Sequence, residues 1–88
     1  MALVLLPRSL VALFPGMPRR LETADAATVG ELIAELDARW PGLADRLCES
    51  GPVLREYINV FVDRQPAGLA TPTEPTTVVH VLPAVAGG

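Results

Sequence analysis

The sequence has 88 residues, half of them hydrophobic, and a formal charge of −3; that is room for one domain with one core, and too apolar for a wholly disordered chain. Its seven basic residues are all arginines, and beyond Arg19-Arg20 they form no cluster, so nucleic-acid binding has no electrostatic support. One cysteine, Cys48, excludes an internal disulfide, a cysteine zinc site or an iron–sulfur cluster within one chain and points to a reducing, cytoplasmic setting.

The run Leu3-Val4-Leu5-Leu6 is apolar and stops at Pro7, which reads as a buried strand. It lacks the positive start and longer apolar stretch of a signal peptide, and no segment nears the ~20 apolar residues of a membrane span. Residues 9–18 carry Pro15-Gly16, a turn signal, and are expected to form a loop or hairpin connection to a second strand near 19–23. Thr28 followed by Glu31 fits a capping box, in which each side chain satisfies the other residue's backbone N–H. Val29, Leu32, Ile33, Leu36 and Trp40 then recur at helical spacing, and Pro41-Gly42 stops the helix predicted over about 28–40. Glu31 and Glu35 lie one turn apart on another face, where solvation explains them, and Glu35–Arg39 is a favourable i,i+4 pair.

Residues 43–48 fit one more helical turn with Leu43 and Leu47 inward; Cys48, at its end, reads as a small buried hydrophobe and not a persulfide carrier. Residues 49–52 read as a loop. Residues 57–63 alternate as a strand, with Ile58, Val60 and Val62 on one face and Asn59, Phe61 and Asp63 on the other. The turn-rich stretch 64–75 leaves room for a short edge strand at 65–67, and 76–82 is a β-branched, apolar last strand that Pro83 should end.

The order is strand, strand, helix, strand, weak strand, strand, tail. One helix on one mixed sheet of four to five strands buries these faces economically. The first and last strands are the most apolar and should lie side by side, parallel, at the centre, with the helix crossing one face. That is an α+β fold of the β-grasp type, with a domain at 1–82 and a tail at 83–88. Val79 and Val81 should face the helix, while Phe61, His80 and Leu82 form an exposed apolar patch beside the tail, a candidate docking site. His80 has no Ser, Cys or carboxylate placed to work with it, so it reads as a solvent-face histidine and not as a general base.

The tail, Pro83-Ala84-Val85-Ala86-Gly87-Gly88, has no long side chain. Extended at roughly 3.3 Å per residue it reaches about 20 Å. Gly87 and Gly88 have no Cβ and can thread a narrow channel. The α-carboxylate of Gly88 is ionised at neutral pH and can attack an activated phosphate.

With this ending, the capped helix and the strand at 57–63, the chain resembles the MoaD/ThiS family of ubiquitin-like sulfur carriers over nearly its whole length. Within it, the chain is most similar to CysO-type carriers and almost as similar to MoaD. It departs at Asp63-Arg64-Gln65-Pro66, where the family often has an Asn-Gly-type or acidic turn, and at Thr73-Glu74-Pro75-Thr76, where an Asp or Gly is common before the last strand.

The resemblance implies a protein co-substrate and not an enzyme, with no bound cofactor and no metal. An E1-like, ATP-dependent enzyme would adenylate Gly88, and a sulfur source would displace AMP to leave a thiocarboxylate. Gly87 would supply clearance, and Pro83, Ala84, Val85 and Ala86 the reach. The patch at Phe61, His80 and Leu82 resembles the surface ubiquitin-like proteins offer to such enzymes. Implied partners are that enzyme, a downstream sulfur-accepting synthase and, on the CysO route, a metalloprotease; nucleic acid and membrane are not among them. The sulfur's destination stays open between cysteine, molybdopterin and a specialised metabolite.

Two other readings stand beside this one. The same ending permits a ubiquitin-like modifier conjugated to target lysines, although the chain has no lysine on which to build chains of itself. A β-grasp binding subunit with an incidental tail would keep working after residues were added beyond Gly88.

Overall fold

The computed structural model describes residues 2–23, 25–49 and 53–83. In chain order they form β1 (Ala2–Leu5), α1 (Arg8–Val11), β2 (Arg20–Thr23), α2 (Val29–Arg39), α3 (Leu43–Leu47), β3 (Cys48–Glu49), β4 (Val53–Leu54), β5 (Ile58–Val62), β6 (Gln65–Ala67) and β7 (Val78–Pro83). Five strands make one sheet in the order β2-β1-β7-β5-β6. The two most apolar strands lie together at its centre: β1 runs parallel to β7, with Val4 beside Val79. The other three ladders are antiparallel. The expected β-grasp is what the chain forms.

The core lies between this sheet and the helices. Val29, Leu32, Ile33 and Leu36 of α2 are buried against Val4, Val60, Val79 and Val81 of the sheet, and Leu43 and Leu47 of α3 are fully enclosed. Each such side chain contributes about 1.5–3 kcal/mol on burial, which for a chain this short is a large share of the total. Trp40 and Phe14, partly buried, pack against this cluster. Among the described residues the buried polar ones are Thr23, Thr73 and Thr77, and each has a hydrogen bond: Thr23 Oγ1 donates to the Ala2 carbonyl, Thr73 Oγ1 to the Ala26 carbonyl, and Thr77 Oγ1 accepts from the Glu74 N–H.

The N-terminus of α2 is held by one half of the expected capping box and by a strap from elsewhere in the chain. Thr28 Oγ1 accepts from the Glu31 N–H at 3.2 Å, as expected, but its hydroxyl also reaches the Glu31 carboxylate at 3.4 Å. Two further helix N–H groups, of Val29 and Gly30, donate to the carbonyls of Thr71 and Leu69 at 3.0 and 2.9 Å. Gly30 suits that approach, because a Cβ there would crowd the Leu69 carbonyl oxygen at 3.2 Å. The stretch that reads as turn-rich thus straps the helix start and satisfies its free donors.

Four expectations need correction. Residues 9–18 are not all loop: Arg8–Val11 is a helical turn that buries Leu10, and four residues are too few to show a helical period. Glu49, expected in a loop, lies in a two-stranded ladder, with Cys48 opposite Leu54 and Glu49 opposite Val53, while residues 50–52 lie outside the described residues. That ladder leaves Cys48 half-buried at an edge and not enclosed. Finally, the strand expected at 76–82 runs from Val78 to Pro83: Thr77 is held in a turn by its N–H to the Glu74 carbonyl, and β1 pairs with β7 only as far as His80, so Pro83, opposite Ile58, stands on an edge where a missing N–H is tolerated.

Candidate functional site around the end of β7

Side chains alternate across a strand, and β7 shows the result: Val79 and Val81 point into the core, while Val78, His80 and Leu82 point to the opposite, open face. The register carries one row across the whole sheet on that face. Arg20 lies opposite Leu5, Leu5 beside His80, His80 opposite Phe61, and Phe61 opposite Pro66. The structure therefore brings Phe61 and His80 together as neighbours on adjacent strands and puts Leu82 two residues on, opposite Asn59. Phe61, His80 and Leu5 are half-buried, and Leu82 is 43% exposed. Leu5, Leu6, Pro7, Arg19, Arg20, His80, Val81 and Leu82 line a shallow hollow on this side.

The sequence reading missed Leu5, Arg20 and Pro66 in this patch. Every residue from Leu3 to Leu6 is apolar, so alternation could not tell which of them faces outward. Arg20 and Pro66 belong to edge strands whose partners only the sheet order reveals.

The patch is pinned by Asp63. Its N–H donates to the Val78 carbonyl and its Oδ1 accepts from the Val78 N–H, both at 2.9 Å. Asp63 and Arg64 have φ of 48° and 72°, the positive angles a two-residue hairpin turn needs between Val62 and Gln65. This is where the chain departs from an Asn-Gly turn, and the carboxylate clamp on β7 gives Asp63 a function in that position.

Cys48 sits elsewhere, beside an apolar groove with Ile33, Ala34 and Leu69. Desolvation pushes its thiol pKa up, partly opposed by the charge of Arg55. A thiol kept protonated is a poor nucleophile, which agrees with a packing role. Among the described residues no three metal-ligating side chains gather, and no helix is long and apolar enough to cross a membrane. Pro83 is the last described residue of the tail; Ala84, Val85, Ala86, Gly87 and Gly88 lie outside the described residues.

Comparison with known proteins adds to this geometry. Residues 4–88 match the ThiS family. The chain belongs to that family. Small archaeal modifier protein 3 of Haloferax volcanii is 40% identical to it over 68 residues, 73% of either chain. The sulfur carrier protein CysO of Mycobacterium tuberculosis is 38% identical over 72 residues, 75% of this chain and 77% of that protein. In the crystal structure of the Amycolatopsis orientalis BexX/CysO complex, one chain superimposes with a TM-score of 0.85 at 30% identity, and the match covers all of both chains. As a member of the ThiS family the chain is a ubiquitin-like β-grasp protein, similar to CysO as the ending of its sequence implied.

Proposed function

We propose that this ThiS-family protein is a sulfur carrier that acts as a co-substrate of partner enzymes. An E1-like enzyme transfers AMP from ATP to the Gly88 carboxylate and releases pyrophosphate. Hydrosulfide, or a persulfide donor followed by reductive release, attacks the acyl carbon and expels AMP, leaving a thiocarboxylate on Gly88. A downstream synthase then accepts the sulfur in making cysteine, molybdopterin or a specialised metabolite; a metalloprotease belongs to the cysteine route.

The observation that carries this reading is the family match that runs through Gly88, in a chain whose last strand ends at Pro83 beside an open apolar patch. Gly87 gives clearance in a narrow channel, Pro83, Ala84, Val85 and Ala86 give reach, and Phe61, His80 and Leu82 dock the activating enzyme. Intact mass after incubation with the E1-like enzyme, ATP and sulfide is expected to show one oxygen replaced by sulfur. An unchanged mass in the presence of an enzyme that demonstrably binds the protein overturns the reading.

A second reading has its own support, the 40% identity to a protein named as an archaeal modifier. In it, the activated Gly88 is transferred to target lysines. Conjugates of higher mass in cell extract that vanish on deletion of Gly88 would establish that role.

A further inference from the structure

Four large hydrophobic side chains are exposed among the described residues: Leu13, Val53, Tyr57 and Leu82. Three of the four gather where β7 ends. Leu82 lies on the open face of the sheet. Leu13 and Tyr57, 51% and 56% exposed, lie on the other side of the same strand end, in a groove that Pro83, Ile58 and Arg46 also line. The charge at this end runs against that of the molecule. The protein as a whole is acidic, with a net charge of −3, yet Arg19 and Arg20 flank Leu82, Arg46 lines the groove, and Arg8 follows Pro7, which borders both hollows. Asp45 and Glu56 are the acids adjoining the groove in sequence.

We propose that this end of the domain is a two-sided collar for the adenylating enzyme, with Leu13 and Tyr57 forming a second docking surface opposite the sheet-face patch. The inference rests on the sulfur-carrier reading. Its occupant is an apolar rim bearing carboxylates, at the mouth of the channel that takes Gly88. The spacing of Pro83 and Gly88 argues for the contact. Gly88 lies five residues beyond Pro83, and at about 3.6 Å each they span no more than about 18 Å. An active site that reaches Gly88 through a channel of that depth must press its mouth against whatever surrounds Pro83, on both sides of the strand. Apolar side chains left open at that place, with Arg46 in the groove and Arg19 and Arg20 in the hollow across the strand, match a partner whose rim is apolar and acidic: burial of Leu13 and Tyr57 holds the complex, and the charges steer encounter.

The test compares binding of the wild-type protein and L13S/Y57S to the purified E1-like adenylating enzyme of the same genome, by calorimetry, with thermal melting of each protein alone. The double variant is expected to melt with the wild type and to bind at least tenfold more weakly. R46E is expected to bind several-fold more weakly at low salt, with the gap closing as salt rises. Equal affinity of L13S/Y57S and wild type overturns the collar. So does a wild-type dimer in sedimentation equilibrium that L13S/Y57S abolishes while enzyme binding is unchanged, since the groove then belongs to a second copy. Wild-type protein that binds the enzyme but gains no sulfur sinks the carrier reading alone, and the affinity comparison still decides the collar.

Discussion

Val79 and Val81 on β7 are sealed against the helices, while His80 between them and Leu82 after them keep part of their surface open. The same contrast holds on β5, where Val60 is buried and Phe61, its neighbour, is half open. One strand thus contributes to two surfaces with different duties. The inner face is filled by α2, and its residues secure the fold. The outer face has no element of its own chain laid over it among the described residues, so its residues are free to serve a partner. Because the strand period is two, core packing and surface chemistry are written into alternate positions and can be changed one at a time.

The sharpest way to break that separation is to truncate one residue on each side. Leu36→Ala, within the core, should cost about 2–5 kcal/mol and lower the melting temperature by roughly 4–8 °C for each kcal/mol. Leu82→Ser should stay within about 0.5 kcal/mol of wild type and yet weaken binding of the adenylating enzyme. Thermal melting and a binding isotherm on both variants check this. If Leu82→Ser melts as low as Leu36→Ala, the outer face is part of the core after all.

A smaller effect tests how the helical side is assembled. Asp37 Oδ1 accepts from the Gly42 and Ala44 N–H groups at 3.1 and 2.9 Å, so one side chain of α2 caps the start of α3. Asp37→Ala should cost about 1 kcal/mol, the usual worth of a capping acceptor, by chemical denaturation. The smallest expected effect is a gain. Arg64 holds a positive φ of 72°, which costs a residue with a Cβ about 1 kcal/mol relative to glycine. Arg64→Gly should stabilise the hairpin by up to that amount and raise the melting temperature, with the Asp63 clamp on Val78 left intact. A fall in melting temperature would show that the arginine side chain makes up for its backbone strain.

Much of this was legible from the residues. The spacing of Val29, Leu32, Ile33 and Leu36 identified the main helix and its buried side. The alternation from Ile58 to Val62 separated Phe61 from the core, and the β-branched, apolar run at 76–82 identified the last strand, although it begins only at Val78. Two small elements were not legible: Arg8–Val11 is shorter than any period that could reveal it, and the β3–β4 ladder joins two-residue strands whose return to α3, with the Arg55 N–H donating to the Leu47 carbonyl, is a tertiary contact. The strap across the start of α2 was hidden for a different reason, since its bonds join residues about forty positions apart in sequence, such as Gly30 and Leu69.

Local pattern by itself therefore determined the type and order of the long elements and the inward set of each, because periodicity and turn chemistry act between near neighbours. Sheet order and register were the work of tertiary structure. Only the pairing of β1 with β7 and of β7 with β5 sets Leu5, His80 and Phe61 in one row, and only the meeting of α1 with the start of β5 places Leu13 and Tyr57 beside Pro83. Surfaces are made by residues distant in the chain, and no local rule can assemble them before the core has formed.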